Sequence, residues 1–147
     1  MNKLLTLLLF LYTISSQAMS FSEAQYLYAK IKIANGITNA PILKYSNSGK
    51  VNANSNFFAI TLNKGILNFV HNESELAFII GHELAHYKLG HMGSSYNNEY
   101  AADALGVTYS SNAGYSRCGG ASILLRFHDY GSKTHPDSDK RYYKLCK

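Results

Sequence analysis

His82, Glu83 and His86, within the run His82-Glu83-Leu84-Ala85-His86, are of the types and at the spacing that hold and use a metal ion. On a helix, two His four residues apart project from one face, so both imidazoles reach a single ion. Glu83, between them, points to nearly the same side and can take a proton from a water the metal has made acidic. A catalytic zinc site needs three protein ligands and one open position. Downstream, Glu99 and Asp103 lie four apart in Glu99-Tyr100-Ala101-Ala102-Asp103, and on a helix both carboxylates face one way. Glu99 is placed to be the third ligand, and Asp103 to accept the remaining N–H of a ligating His. One zinc ion is therefore the expected cofactor. His91 competes for the third position, but it follows His86 by five residues with Gly90 immediately before it. The pattern HExxHxxGxxH demands six and an intervening Gly, so His91 reads as a supporting residue near the helix end. His71 and His128 have no partner pattern and read as surface or capping residues.

These side chains need rigid carriers. The motif helix is expected to open at Asn72, with Glu75 as its capping-box partner, and to run to about Leu89 before Gly90. Ser95 to Ala113 forms the helix that carries Glu99 and Asp103, ended by Gly114. Upstream, Ser22 to Ala34 shows helical spacing, opened by a serine cap and closed by Asn35-Gly36. Ile42 to Tyr45, Lys50 to Asn54 and Phe57 to Leu62 look like short strands, with Asn47-Ser48-Gly49 as the turn between the first two. Asn63 to Val70 reads as a short helix, Ala121 to Tyr130 as another, and a last one follows Pro136. Helix, small antiparallel sheet, then several helices is an α+β order, distinct from alternating βαβ.

The 147-residue chain has room for one domain. Its start reads as a secretory signal, with an uncleaved N-terminal anchor as the competing reading. Met1-Asn2-Lys3 is a short basic region, Leu4 to Ile14 is apolar, and Ser16 and Ala18 are the small residues of a cleavage site after Ala18. This divides the chain into a signal peptide, 1–18, and a single domain, 19–147, that carries the zinc ligands and is exported to a periplasmic or extracellular space. No later apolar run has membrane-spanning length, so no stable membrane span is expected after cleavage. Cys118 and Cys146 lack a metal-ligand spacing, and in an oxidising compartment they are expected to pair. The net charge of +5 is spread over scattered Lys and Arg. With no dense basic run and no aromatic interleaving, a nucleic-acid partner is not expected.

Several blocks, in order, resemble the CAAX prenyl protease/HtpX-like family of gluzincin metallopeptidases, peptidase family M48. They are Val51-Asn52-Ala53, Ile60-Thr61-Leu62 to Gly65-Ile66-Leu67, Asn72-Glu73-Ser74-Glu75-Leu76-Ala77 and Gly81-His82-Glu83-Leu84-Ala85-His86. The likeness continues through Glu99-Tyr100-Ala101-Ala102-Asp103-Ala104-Leu105-Gly106, Ala113-Gly114-Tyr115 and Thr134-His135-Pro136-Asp137, with Arg141 beyond. It implies a zincin-like fold, zinc on His82, His86 and Glu99, and Glu83 as general base. It also implies that His135 and Arg141 line the active site, where hydrogen donors or cations steady a developing oxyanion. The stretch Val51 to Asn54 is similar to the family's strand at the cleft edge, where a protein or peptide substrate could add in extended form. Twelve residues separate His86 from Glu99, fewer than in familiar members, which also carry membrane helices or accessory domains. The resemblance is therefore to a minimal secreted form, and membrane-embedded or prenylated substrates are not implied.

The expected function is a zinc-dependent metalloendopeptidase acting on proteins outside the cytoplasm. The alternative is a zinc-stabilised binding or inhibitor module with little turnover.

Overall fold

The computed structural model describes residues 17–91, 93, 95–127, 131 and 135–147. Nearly all of the expected signal peptide, together with His128 and Thr134, lies outside the described residues. Helix α1 (Phe21–Ala34) is opened by Ser20, whose hydroxyl accepts the Glu23 N–H while the Glu23 carboxylate accepts the Ser20 N–H. That reciprocal pair satisfies two donors an open helix end would leave bare. Ala24, Leu27, Tyr28 and Ile31 form the buried stripe of α1.

Three short strands follow: β1 (Ile42–Ser46), β2 (Ala53–Ser55) and β3 (Ala59–Asn63). Their order in the sheet is β1-β3-β2. β2 and β3 pair antiparallel, with Ala53 opposite Leu62, but β1 runs parallel to β3, with Ile42 opposite Ala59. The sheet is thus mixed, and Asn47-Ser48-Gly49 does not close a hairpin between sheet neighbours. It belongs to a loop that crosses from one edge to the other and packs on α2 (Lys64–Phe69). There a Cβ on Gly65 would fall 2.3 Å from the Gly49 and Lys50 carbonyl oxygens, so only glycine fits. The central strand β3 buries Ala59, Ile60 and Leu62, as a strand with neighbours on both edges must.

The middle of the molecule is α3 (Glu73–Leu89). Every residue from Glu75 to Ala85 is buried, so this helix has no solvated face over three turns. Asn72 Oδ1 accepts the Glu75 N–H, and Gly90 at φ 66° ends the helix in the left-handed conformation that favours glycine. Glu75 departs from the expected capping-box role. Its carboxylate accepts from the His71 N–H at 2.6 Å and from Arg126 Nη1 and Nη2 at 2.5 and 2.8 Å.

Helix α4 (Tyr96–Asn112), capped by Ser95, packs along α3. α5 (Arg117–Ala121) and a 3-10 turn (Ser122–Arg126) come next, where a single helix from Ala121 to Tyr130 was expected. The Ser116 hydroxyl accepts the Gly119 N–H and starts the helix early. A Cβ on Gly120 would meet the Ser74 carbonyl oxygen at 2.6 Å, so this glycine lets α5 press onto α3. α6 (Ser138–Leu145) is capped by Asp137 and tied back to α5 by the Cys118–Cys146 disulfide. Among the described residues no helix is long and apolar enough to cross a membrane.

Candidate metal centre

The site lies where α3 and α4 come closest. A Cβ on Gly81 would sit 2.5 Å from the Gly106 carbonyl oxygen, and one on Gly106 would sit 2.6 Å from the His82 nitrogen. Two facing glycines let the backbones touch just where His82 begins the pentad. That contact sets Glu99 and Asp103, two turns and one turn before Gly106, against the two imidazoles. Both glycines fall inside sequence blocks noted above, yet nothing in their spacing marks them as a helix crossing.

One donor atom from each of His82, His86 and Glu99 lies within 4.8 Å of the other two. The two Nε2 atoms are 3.0 Å apart. Glu99 Oε2 is 3.6 Å from His82 Nε2, and Glu99 Oε1 is 3.5 Å from His86 Nε2. A tetrahedral zinc with bonds of about 2.0–2.1 Å has ligand-to-ligand edges of about 3.3–3.4 Å, so the triad matches three corners of its shell. The donor chemistry, two imidazoles and a carboxylate, is equally suited to zinc.

The outer contacts decide which lone pairs face inward. Asp103 Oδ1 stands 3.0 Å from His82 Nδ1, a hydrogen-bond length, although the ring N–H is not squarely aligned with it. A carboxylate at Nδ1 calls for the proton there, which leaves the Nε2 lone pair for a metal. Burial lowers the His82 pKa, but Asp103 outweighs it and the net shift is upward. On His86 the outer nitrogen, Nδ1, meets His91 Nδ1 at 3.0 Å. His91 therefore sits behind His86 and outside the His82–His86–Glu99 cluster.

Asp103 is buried and also receives a two-pronged contact from Arg141, Nε to Oδ2 at 2.8 Å and Nη2 to Oδ1 at 2.7 Å. Burial raises its pKa, yet the Arg141 and His82 contacts override this and bring it down to about 2. Arg141 Nη2 also approaches Glu99 Oε2 at 3.4 Å. For Glu99 burial again acts upward, and the His86, His82 and Arg141 contacts reverse it. Arg141 thus spans the two acids of α4 from α6. His135 Nε2 stands 4.0 Å from Glu99 Oε1, and its side chain is 45 % exposed, facing the cleft.

A cleft of about 500 Å³ opens over the triad. Glu83, 8 % exposed, lines it with His82, His86, Glu99, His135 and Arg141. β2, an outer strand of the sheet, forms one wall. Ile66, Phe78, Ile79, Leu124 and Phe127 supply an apolar part that no sequence pattern assigns to the site. All seven residues singled out from the sequence, His82, Glu83, His86, Glu99, Asp103, His135 and Arg141, are brought together here.

The family model described as Peptidase family M48 matches residues 27–97, from the middle of α1 into the first turn of α4. The match takes in the sheet wall and the pentad and ends two residues before Glu99. A search of curated proteins returns no match. The family match over the sheet and the pentad, with the His82–His86–Glu99 cluster completing the site beyond it, supports a place for the chain in peptidase family M48, whose members are zinc-dependent peptidases.

Proposed function

We propose that this protein is an endopeptidase that hydrolyses peptide bonds in other proteins outside the cytoplasm, with zinc held by His82, His86 and Glu99. The observation that carries the reading is the convergence of Glu83 and those three residues on one open cleft edged by β2. Zinc in this position supplies Lewis acidity, which brings the pKa of water toward neutrality and polarises a carbonyl. Glu83 takes a proton from the attacking water and later passes it to the leaving amine. Its burial in the cleft wall keeps it beside that water rather than out in bulk solvent. His135, exposed to the cleft, donates toward the developing oxyanion. Arg141 has both prongs on Asp103, so its contribution is to hold α4's two acids in place and to add positive charge beside them. Asp103 orients His82.

The substrate lies extended along the outer edge of β2, which no strand covers among the described residues. Export is supported by the Cys118–Cys146 disulfide and by the leader-like first residues, which would be removed from a single domain of residues 19–147.

Metal removal tests the reading. The protein is expected to cleave an unfolded protein, to stop after dialysis against a chelator, and to resume when one equivalent of zinc is returned. Tight zinc binding with no cleavage of any unfolded protein would favour a zinc-stabilised binding module.

A further inference from the structure

A second hollow of about 270 Å³ adjoins the main cleft. Ser55, His86, His91 and Gly93 line both, and the hollow continues past them to Asn56, Phe57, Tyr87 and Gly90. It lies beyond the end of β2, where the chain turns toward β3 through Asn56, Phe57 and Phe58. Sites that enclose a whole small molecule run to about 300–1,000 Å³. This one is of a size for a single bulky side chain. Two aromatic rings and two glycines give it a mostly apolar wall, and Phe57 is left 57 % exposed beside the catalytic cleft. A partly bare ring next to a groove gains from being covered, because apolar area leaves water. Its continuity with the cleft through four shared residues points to the occupant of that cleft rather than to a separate ligand.

We propose that this hollow is a specificity subsite that takes an apolar or aromatic side chain of the peptide substrate on the N-terminal side of the scissile bond. The proposal rests on the peptidase reading of the site. Direction follows from strand pairing. β2 runs from Ala53, beside the main cleft, to Ser55, at the hollow. An added strand pairs somewhat more stably antiparallel than parallel. An antiparallel peptide therefore passes the hollow first and the His82–Glu83–His86 region afterwards. Side chains of an extended peptide alternate, so one of its residues turns in between Phe57 and Tyr87 while its neighbours face away.

The test is cleavage-site profiling of the whole protein with a degenerate peptide library, alongside Phe57→Asp and a control, Phe58→Asp. Phe58 belongs to the same turn, is 81 % exposed and does not line the hollow. The parent is expected to enrich apolar and aromatic residues at one position N-terminal to the cut. Phe57→Asp should lower that enrichment about tenfold or more and favour Lys or Arg at the same position. Phe58→Asp should keep the parent profile, and all three proteins should bind equal zinc. Cleavage by the parent with no such enrichment, or an unchanged profile in Phe57→Asp, would overturn the subsite. Should no protein cleave, the peptidase reading fails, and binding of the same library judges the subsite alone. Loss of apolar peptides on Phe57→Asp would support it, and undiminished binding would overturn it.

Discussion

At the scale of single residues, the site is organised by what each ring nitrogen faces. His82 turns Nδ1 to Asp103, His86 turns Nδ1 to His91, and both turn Nε2 to the Glu99 carboxylate. The pentad was legible in the sequence because a fixed spacing on a helix leaves one geometry for two imidazoles. Glu99 and Asp103 were legible for the same reason. A supporting place for His91 near the helix end was readable too, but its contact with His86 Nδ1 was not, since a His five residues on lies past the helix end, where Gly90 redirects the chain. Two substitutions separate these roles. Glu99→Ala removes a donor from the triad and is expected to leave the protein with little bound zinc after dialysis. His91→Ala should keep the three ligands but weaken zinc binding by about 10–100-fold, the cost typical of losing a contact behind a ligating His. Competition titration against a zinc indicator measures both, and equal losses in the two variants would argue against His91 lying behind His86.

At the scale of elements, α3 holds the site because it is buried on every side and pinned at both ends. Its ends were readable from Asn72 and Gly90, which act locally. The sheet was harder to read. Three strands of three to five residues carry too little pattern to rank their pairings, and the parallel β1–β3 pair brings together residues seventeen positions apart. The Glu75–Arg126 pair was equally hidden, because its partners are 51 residues apart and meet only after folding. It fixes the 3-10 turn, whose Leu124 lines the cleft, against the start of α3. Burial pushes the Glu75 pKa up, but Arg126 and the His71 N–H more than reverse this, so its folded value lies below its ordinary 4.5. A depressed carboxylate pKa gives stability that is fully present above the unfolded value and is lost as pH falls through the folded one. Acid unfolding should therefore steepen below about pH 4.5 in the parent. Glu75→Gln should be less stable at neutral pH and should flatten that limb. Thermal midpoints measured from pH 7 to pH 3 would show it, and parallel curves for the two proteins would count against the pair.

At the scale of the whole molecule, the disulfide joins the last helix to the body and thereby sets Arg141 over the acids of α4. Arg117 adds a bond from Nε to the Leu145 carbonyl oxygen at 2.9 Å beside it. The link closes a sequence separation of 28 residues, for which the chain-entropy account gives about 3–4 kcal/mol. Cys118→Ser with Cys146→Ser is expected to lose stability of that order in urea unfolding, whereas an unchanged midpoint would mean that α6 docks without it. The α+β class and the pairing of the two cysteines were both visible beforehand, one from the order of elements and the other from two thiols behind an export signal. The α3–α4 contact at Gly81 and Gly106 was not, although the whole site depends on it, because a glycine's need for closeness shows only when its neighbour is in place. The central claim is that this scaffold presents a metal and a general base to a peptide bond, and Glu83→Gln tests it most directly. Metal content and cleavage of an unfolded protein should be measured on the same preparation, beside the parent. One zinc per chain is expected in both proteins, with a rate in the variant lower by about 10²–10⁴-fold or more; zinc retained with cleavage at the parent rate would rule Glu83 out as the general base.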